Sequence, residues 1–288
     1  MSDASNTFVQ KQFQASDGTS LAYREYPARQ PERVRVVMIH GIQSHAGWYE
    51  GSCRALAQAG CHVLFLDRRG SGANQENRGD APGYRRLVDD LAEGIRMARA
   101  DAPAGVPVCL IAISWGGKLA VALQERYPEL LDGLVLITPG FFPRVSPRLS
   151  EKIRIVWSRL RQPKRLFPIP LNNPELFTSD PHWLKFLRED ERSLHKATAR
   201  FLMSSVHLDR QLKRASRYVR VPTLLLLAGN DRIIDSERTR RFVESFPVAE
   251  RQIIEYPGRA HTLEFEDPRK LEQDLIAWLH ARAAANQQ

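Results

Sequence analysis

Between Val108 and Ala120 the chain runs Val-Cys-Leu-Ile-Ala-Ile and then Ser114-Trp115-Gly116-Gly117-Lys118-Leu119-Ala120. A short apolar stretch therefore ends on a serine, and two glycines open a helical pattern. This order predicts a buried strand, a sharp turn that exposes a hydroxyl at the strand's carboxyl end, and a helix packed close to the strand through its small residues. Glycine is usual two positions before such a serine; here it is Ala112, and a methyl fits.

The rest of the chain repeats the alternation. Phe8 to Tyr26, with the turn Ser16-Asp17-Gly18-Thr19, reads as a β-hairpin at a sheet edge. Buried strands are expected at Val34 to Ile39, His62 to Leu66, Val108 to Ile113, Gly133 to Ile137, Thr223 to Leu227 and Gln252 to Tyr256. Helical stripes lie between them, at Leu87, Val88, Leu91, Ile95 and Ala98, and at Leu119, Leu123 and Tyr127. A final helix starts at Asp267 as N-cap with Pro268 in its first turn, and Leu271, Leu275, Trp278 and Leu279 face inward. Strand–helix alternation implies an α/β fold with a mostly parallel, doubly wound sheet. From 140 to 220 the strand pattern lapses, leaving helical stripes such as Leu149, Ile153, Val156 and Leu160 between proline-rich stretches. The expected division is a core of residues 1–139 and 221–288 and a helical cap, or lid, of residues 140–220.

Composition narrows the setting. A 288-residue chain with 43% hydrophobic residues can bury a sizeable core. The start, Met1 to Gln12, is polar and has no apolar h-region, and no run approaches the roughly 18 apolar residues of a membrane span, so a cytoplasmic protein is expected. Cys53, Cys61 and Cys109 read as buried free thiols, without metal-ligand spacing. Of the net charge of +9, the segment Phe141 to Arg220 holds 18 Lys and Arg against 7 Asp and Glu. Either this surface attracts an anionic substrate or an anionic membrane, as a peripheral contact, or it is a solvated helical face. No aromatic-interleaved nucleic-acid motif appears, so no nucleic-acid partner is expected. Nothing specifies an oligomeric state.

A serine hydroxyl is a poor nucleophile at neutral pH unless a base takes its proton, and that base needs an orienting carboxylate. Asp231 follows the strand Thr223 to Leu227, and His261 follows the last strand, so the order Ser114, Asp231, His261 brings all three to the carboxyl edge of one sheet. Asp235 is the rival acid, better placed as N-cap of the helix containing Phe242, Val243 and Phe246, with Ser236 as an alternative cap. In this architecture an oxyanion takes backbone N–H groups from Trp115 and from the loop His40-Gly41-Ile42-Gln43-Ser44-His45, where Ile42 is the candidate donor. His40 and His45 lack a third ligand, so no metal is expected. The two glycines in Asp67-Arg68-Arg69-Gly70-Ser71-Gly72 lead into a polar loop instead of a helix, which favours a structural turn over a phosphate cradle. No cofactor is implied.

His40-Gly41 with Trp48-Tyr49, the Asp67 to Gly72 loop, Ser114 in its elbow, Asp231 and His261 together resemble the α/β-hydrolase superfamily. Within it the chain is most similar to the monoacylglycerol lipase and lysophospholipase group, historically linked to serine aminopeptidases. The likeness covers about residues 8–139 and 221–282 and stops at the cap. It implies cofactor-free hydrolysis of a small-molecule acyl ester through an acyl-serine intermediate, with Ser114, Asp231, His261, Ile42 and Trp115 in the roles above. His40, Phe141, Phe142, Trp157 and Trp183 are candidate substrate contacts, and Phe167, Phe177 and Phe186 add to an apolar cap that could form an acyl channel. Two alternatives stay open. A prolyl-type aminopeptidase would share the elbow, but a His-Gly-Gly-Pro-Gly loop is absent and the cap is basic, with only Glu189, Asp190 and Glu191 in its favour. A small-molecule receptor on the same fold is the other.

Overall fold

The computed structural model describes residues 8–286. The polar stretch Met1 to Gln12 therefore lies partly outside the described residues.

Among the described residues, ten strands and nine α-helices follow one another as β1 (Val9–Gln14), β2 (Ser20–Tyr26), β3 (Val34–Ile39), α1 (Glu50–Gln58), β4 (Cys61–Leu66), α2 (Tyr84–Ala100), β5 (Val108–Ile113), α3 (Gly116–Arg126) and β6 (Gly133–Ile137). Then come α4 (Leu149–Arg161), β7 (Leu166–Pro168), α5 (Pro181–Glu189), β8 (Lys196–Thr198), α6 (Ala199–Ala215), β9 (Thr223–Ala228), α7 (Ser236–Glu244), β10 (Arg251–Tyr256), α8 (Leu263–Glu266) and α9 (Pro268–Ala285). Eight strands form one sheet in the order β1-β2-β4-β3-β5-β6-β9-β10. The hairpin β1–β2 and its junction with β4 are antiparallel, and all other pairings are parallel.

Burial on both faces explains the unbroken apolar runs. Every residue of β3, β5, β6 and β9 is buried. One face packs against Leu87, Leu91 and Ile95 of α2, Leu119 and Leu123 of α3, and Val243 of α7. The other packs against Cys53 and Leu56 of α1 and Leu271, Leu275, Trp278 and Leu279 of α9. Fully burying one such side chain contributes roughly 1.5–3 kcal/mol, so these two layers supply most of the driving force.

Three local details refine the sequence reading. Asp267 does occupy the N-cap position of α9, but its side chain makes no capping bond and instead pairs with Arg259 at 3.2 Å. Within residues 140–220, β7 and β8 form a two-stranded antiparallel ladder; three residues each are too few to print a strand pattern. Of the stripe Leu149, Ile153, Val156 and Leu160 of α4, Leu149, Ile153 and Leu160 point outward, with Leu149 74% and Leu160 81% exposed, and the half-exposed Val156 borders a cavity, while Ile155 and Ser158 are buried. Among the described residues, no helix is long and apolar enough to cross a membrane.

Helix α6 ties residues 140–220 to the sheet layers. Lys118 of α3 meets Asp209 at 2.5 Å, the Trp115 indole donates to Ser205 at 2.9 Å, and Asp80 accepts from Thr198 and Arg200, each at 2.7 Å. Burial pushes the Asp209 carboxyl up and the Lys118 ammonium down.

Candidate active site

Ser114 has φ +50°, a left-handed conformation that costs a non-glycine residue about 1–3 kcal/mol. Several bonds hold it there. Its amide donates to Ile137 at 2.9 Å, and its carbonyl accepts from Gly117 at 2.9 Å and Gly140 at 2.8 Å. A Cβ on Gly116 would come within 2.9 Å of the His40 carbonyl oxygen, so only glycine lets α3 start this close to the end of β3.

His261, between β10 and α8, brings its Nε2 to 2.9 Å from Ser114 Oγ and its Nδ1 to 2.7 Å from Asp231 Oδ2. The other carboxylate oxygen of Asp231 accepts from the amides of Ile233 at 2.8 Å and Ile234 at 2.9 Å. The Asp231 side chain is fully buried. Both of its oxygens are thus committed, which fixes the His261 ring and makes Nδ1 the donor to Asp231, leaving Nε2 free to accept the serine proton. Asp235 lies elsewhere: it caps α7 by accepting from Arg238 at 2.9 Å, and the Ser236 hydroxyl donates to the Ala228 carbonyl.

The loop after β3 faces the serine. A Cβ on Gly41 would stand 3.1 Å from Ser114 Cβ, so the backbone passes at van der Waals range. The amides of Ile42 and Trp115 have no backbone acceptor among the described residues, and both residues line a cavity that includes Ser114. Two unspent N–H groups beside a serine hydroxyl are the arrangement that a developing oxyanion would require. The loop is held by Gly41 donating to Ser44 Oγ at 3.0 Å, by the amide of Leu194 donating to the Gln43 carbonyl at 2.9 Å, and by Asp190. Asp190 accepts from His45 Nε2 at 3.0 Å, the Trp48 indole at 2.7 Å and the Ser193 hydroxyl at 2.6 Å. Against the upward push of burial, these bonds hold its carboxyl below the ordinary range.

Two cavities adjoin Ser114. The larger, about 450 Å³, is lined by Ile42, Trp115, Ile155, Val156, Ile169, Leu171, Leu202, Met203, Val206, Ile233 and Ile234, with Lys118, Lys152, Asp209 and Arg210 among its polar groups. The narrower one runs inward past His261, Phe177, Ser44 and Tyr49 to Ser52 and Glu264. There Glu264 accepts from the amide of Ser52 at 3.0 Å and from its hydroxyl. Burial pushes the Glu264 carboxyl up to about 7.

The residues expected to touch substrate lie away from both cavities. His40 is fully buried, accepting from the Arg68 amide at 2.9 Å and facing the Gly41 carbonyl at 2.8 Å; burial holds it well below its ordinary pKa. Phe141 and Phe142 pack edge-on against Phe242, Trp157 is 51% exposed on the outer side of α4, and Trp183 stacks on Phe265 at 4.2 Å. Phe177 is the one aromatic of residues 140–220 that lines a cavity beside Ser114. Aromatic content marked apolar packing, and the lining fell instead to aliphatic residues of α4 and α6, whose inward positions depend on helix rotation. The Asp67 loop is a structural turn: Asp67 accepts from Ala46 and Ala73, each at 2.9 Å, and a Cβ on Gly72 would overlap its carboxylate. Among the described residues there is no cluster of three metal-ligating side chains.

The sheet order, with a strained serine between a central strand and its helix, defines an α/β-hydrolase. The family described as serine aminopeptidase, S33 (Hydrolase_4) matches residues 30–268. The chain belongs to that family. It is 25% identical over 282 residues to a monoacylglycerol lipase of Mycolicibacterium smegmatis, covering 96% of this chain and 98% of that protein. It is 26% identical over 276 residues to the uncharacterized protein YnbC of Escherichia coli, covering 95% of this chain but only 47% of YnbC, so it spans about half the length of that relative. In fold it is similar to the crystal structure of a soluble variant of monoglyceride lipase from Saccharomyces cerevisiae in complex with a substrate analog, with a TM-score of 0.85, 18% identity and 97% of each chain covered.

Proposed function

We propose that this chain is a serine carboxylic ester hydrolase that works through an acyl-serine intermediate, with monoacylglycerols or lysolipids as its substrates. The observation that carries this reading is the hydrogen-bonded line from Ser114 Oγ through His261 to the buried Asp231 carboxylate, beside a largely aliphatic cavity.

In the reaction, Ser114 Oγ bonds to the ester carbon as its proton passes to His261 Nε2, and the carbonyl π pair moves onto oxygen. That oxyanion accepts from the Ile42 and Trp115 amides. When the pair returns, the bond to the alcohol oxygen breaks, and the alcohol leaves with the proton from His261. A water then repeats the sequence at the acyl carbon, giving the carboxylic acid and free Ser114. The acyl chain has the larger cavity available, where each buried CH₂ contributes roughly 0.8 kcal/mol.

Three features support a lipid substrate: the aliphatic lining, the relatives named monoacylglycerol lipase, and α4. That helix shows Leu149, Ile153 and Leu160 to solvent between Arg154, Arg159 and Arg161, and turns Ile155 into the cavity. The proposal therefore includes a cytoplasmic protein that meets anionic membrane as a peripheral contact through α4. The aminopeptidase reading needs a free carboxylate for a substrate ammonium. Asp190 is spent on His45, Trp48 and Ser193, Glu189 and Glu191 line neither cavity, and Asp209 is paired with Lys118.

The test is fluorophosphonate labelling with a panel of p-nitrophenyl esters and amino-acid p-nitroanilides. Labelling at Ser114 with ester turnover is expected; anilide turnover alone would favour the aminopeptidase, and ligand binding without labelling would favour a receptor.

A further inference from the structure

Arg68, directly after β4, is an unusual residue to find inside a protein. It is 3% exposed, and no carboxylate pairs with it among the described residues. The neighbouring Asp67 has given its two oxygens to Ala46 and Ala73. The guanidinium lies over the rings of Trp115 and Phe201, at 5.2 and 4.7 Å. Its Nη2 donates to the Ile42 carbonyl at 2.9 Å, Nη1 makes a long contact with the Arg69 carbonyl at 3.4 Å, and Nε has no partner. Burial pushes its pKa down to about 9, which leaves it cationic at neutral pH.

A buried, uncompensated cation costs several kcal/mol, whereas a methionine could fill the space between two aromatic rings without that cost. The charge therefore calls for another role, and its contacts name one. Arg68 touches Ile42 and Trp115, the two cavity-lining residues whose amides have no backbone acceptor among the described residues. We infer that Arg68 is a positioning residue for the oxyanion site: it holds the peptide after Ile42 by its carbonyl, while Ser44 holds the amide of Gly41 on the other side, and it places a positive charge beside both donors. The inference rests on the acyl-serine reading above. As the carbonyl pair moves onto oxygen, the donors are already aimed and the new negative charge develops near the guanidinium, in surroundings where little water screens it.

The experiment compares wild type with Arg68→Met and Arg68→Lys on one p-nitrophenyl ester, and measures inhibition by an alkyl trifluoromethyl ketone and the matching methyl ketone. Loss of a whole oxyanion donor costs roughly 100- to 1000-fold in kcat. R68M, which keeps both donors but not their support, should lose about ten- to a hundredfold in kcat with KM little changed, and bind the trifluoromethyl ketone more weakly by a similar factor. Affinity for the methyl ketone, which forms no stable oxyanion, should stay put, and R68K should recover part of the loss. A loss confined to KM, or equal trifluoromethyl ketone affinity in wild type and R68M, would overturn the inference. If R68M unfolds, Arg68→Gln is read by the same criteria. Fluorophosphonate labelling of wild type separates the two claims: an unlabelled Ser114 sinks the acyl-serine reading, while a labelled Ser114 with an indifferent R68M sinks only the role of Arg68.

Discussion

Asp231 and Asp235 both accept backbone amides from the residues that follow them, yet only Asp231 also reaches His261. Asp231 gives Oδ1 to Ile233 and Ile234 and keeps Oδ2 for the imidazole, whereas Asp235 spends its carboxylate on the first turn of α7. The distinction comes from the backbone. Asp231 stands on the loop just past the sheet edge, where a side chain can turn toward the end of β10.

Substitution should separate the two. In Asp231→Asn the amide oxygen can still serve Ile233 and Ile234, but the NH₂ would donate to His261 Nδ1 and impose the wrong tautomer. A loss of about 10⁴-fold in kcat is expected, with little change in the fold. Asp235→Ala should leave kcat unchanged and lower stability by about 1 kcal/mol, the usual worth of an N-cap. Ester kinetics and urea unfolding of both variants check this, and the reverse result would exchange their roles.

The cavity lining makes chain length the property to measure. Ile155 and Leu202 reach the larger cavity from α4 and α6. Replacing either by Trp should shift the optimum of a graded p-nitrophenyl ester series toward shorter acyl chains, leaving turnover of the acetate ester within about twofold. Each excluded CH₂ forfeits roughly 0.8 kcal/mol, or about fourfold in kcat/KM. Trp at position 157, already on the outer side, predicts by contrast that Trp157→Ala leaves the series unaltered.

Glu264 ties α8 to α1 through Ser52, and its pH dependence has a definite sign. Burial raises its carboxyl from an ordinary value near 4.5 to about 7, so the folded protein holds a proton there that the unfolded chain releases. Its contribution is fully present below about pH 4.5 and is lost as pH rises through about 7. Glu264→Gln keeps an acceptor for the Ser52 amide and carries no charge. The variant should match wild type in thermal unfolding near pH 4 and exceed it by about 3 kcal/mol near pH 9. A difference that is the same at both pH values would mean that Glu264 does not titrate in this way.

The outward stripe of α4 predicts adsorption. Roughly 1 kcal/mol per basic residue near an anionic surface should give salt-sensitive co-sedimentation with phosphatidylglycerol vesicles and little with phosphatidylcholine vesicles. Changing Arg154, Arg159 and Arg161 to Gln should abolish it, and Leu160→Ser alone should weaken it. Equal partitioning onto both vesicle types would leave the charge as ordinary solvated surface.

By itself the sequence determined the sheet and the order of its chemistry. Runs such as Val108–Ile113 and Gly133–Ile137 are apolar throughout because both faces are covered, and that signal is local. The positions of Ser114, Asp231 and His261 just past strand ends were legible for the same reason: parallel strands carry all their carboxyl-terminal loops to one edge. What only the tertiary structure decided were matters of rotation and long-range contact. Helix α4 has apolar residues on two faces, and its packing on α6 turns Ile155 inward and Leu160 outward. The aromatic candidates Phe141, Phe142, Trp157 and Trp183 carry the same apolar character as the true lining, so composition could not sort them, and His40 became a structural bond to Arg68 once β3 and β4 were adjacent. Arg68, in the chain only a member of the Asp67 to Gly72 turn, became a buried charge beside Ile42 and Trp115 only when α6 laid Phe201 over it, because burial depends on which distant segments cover a residue.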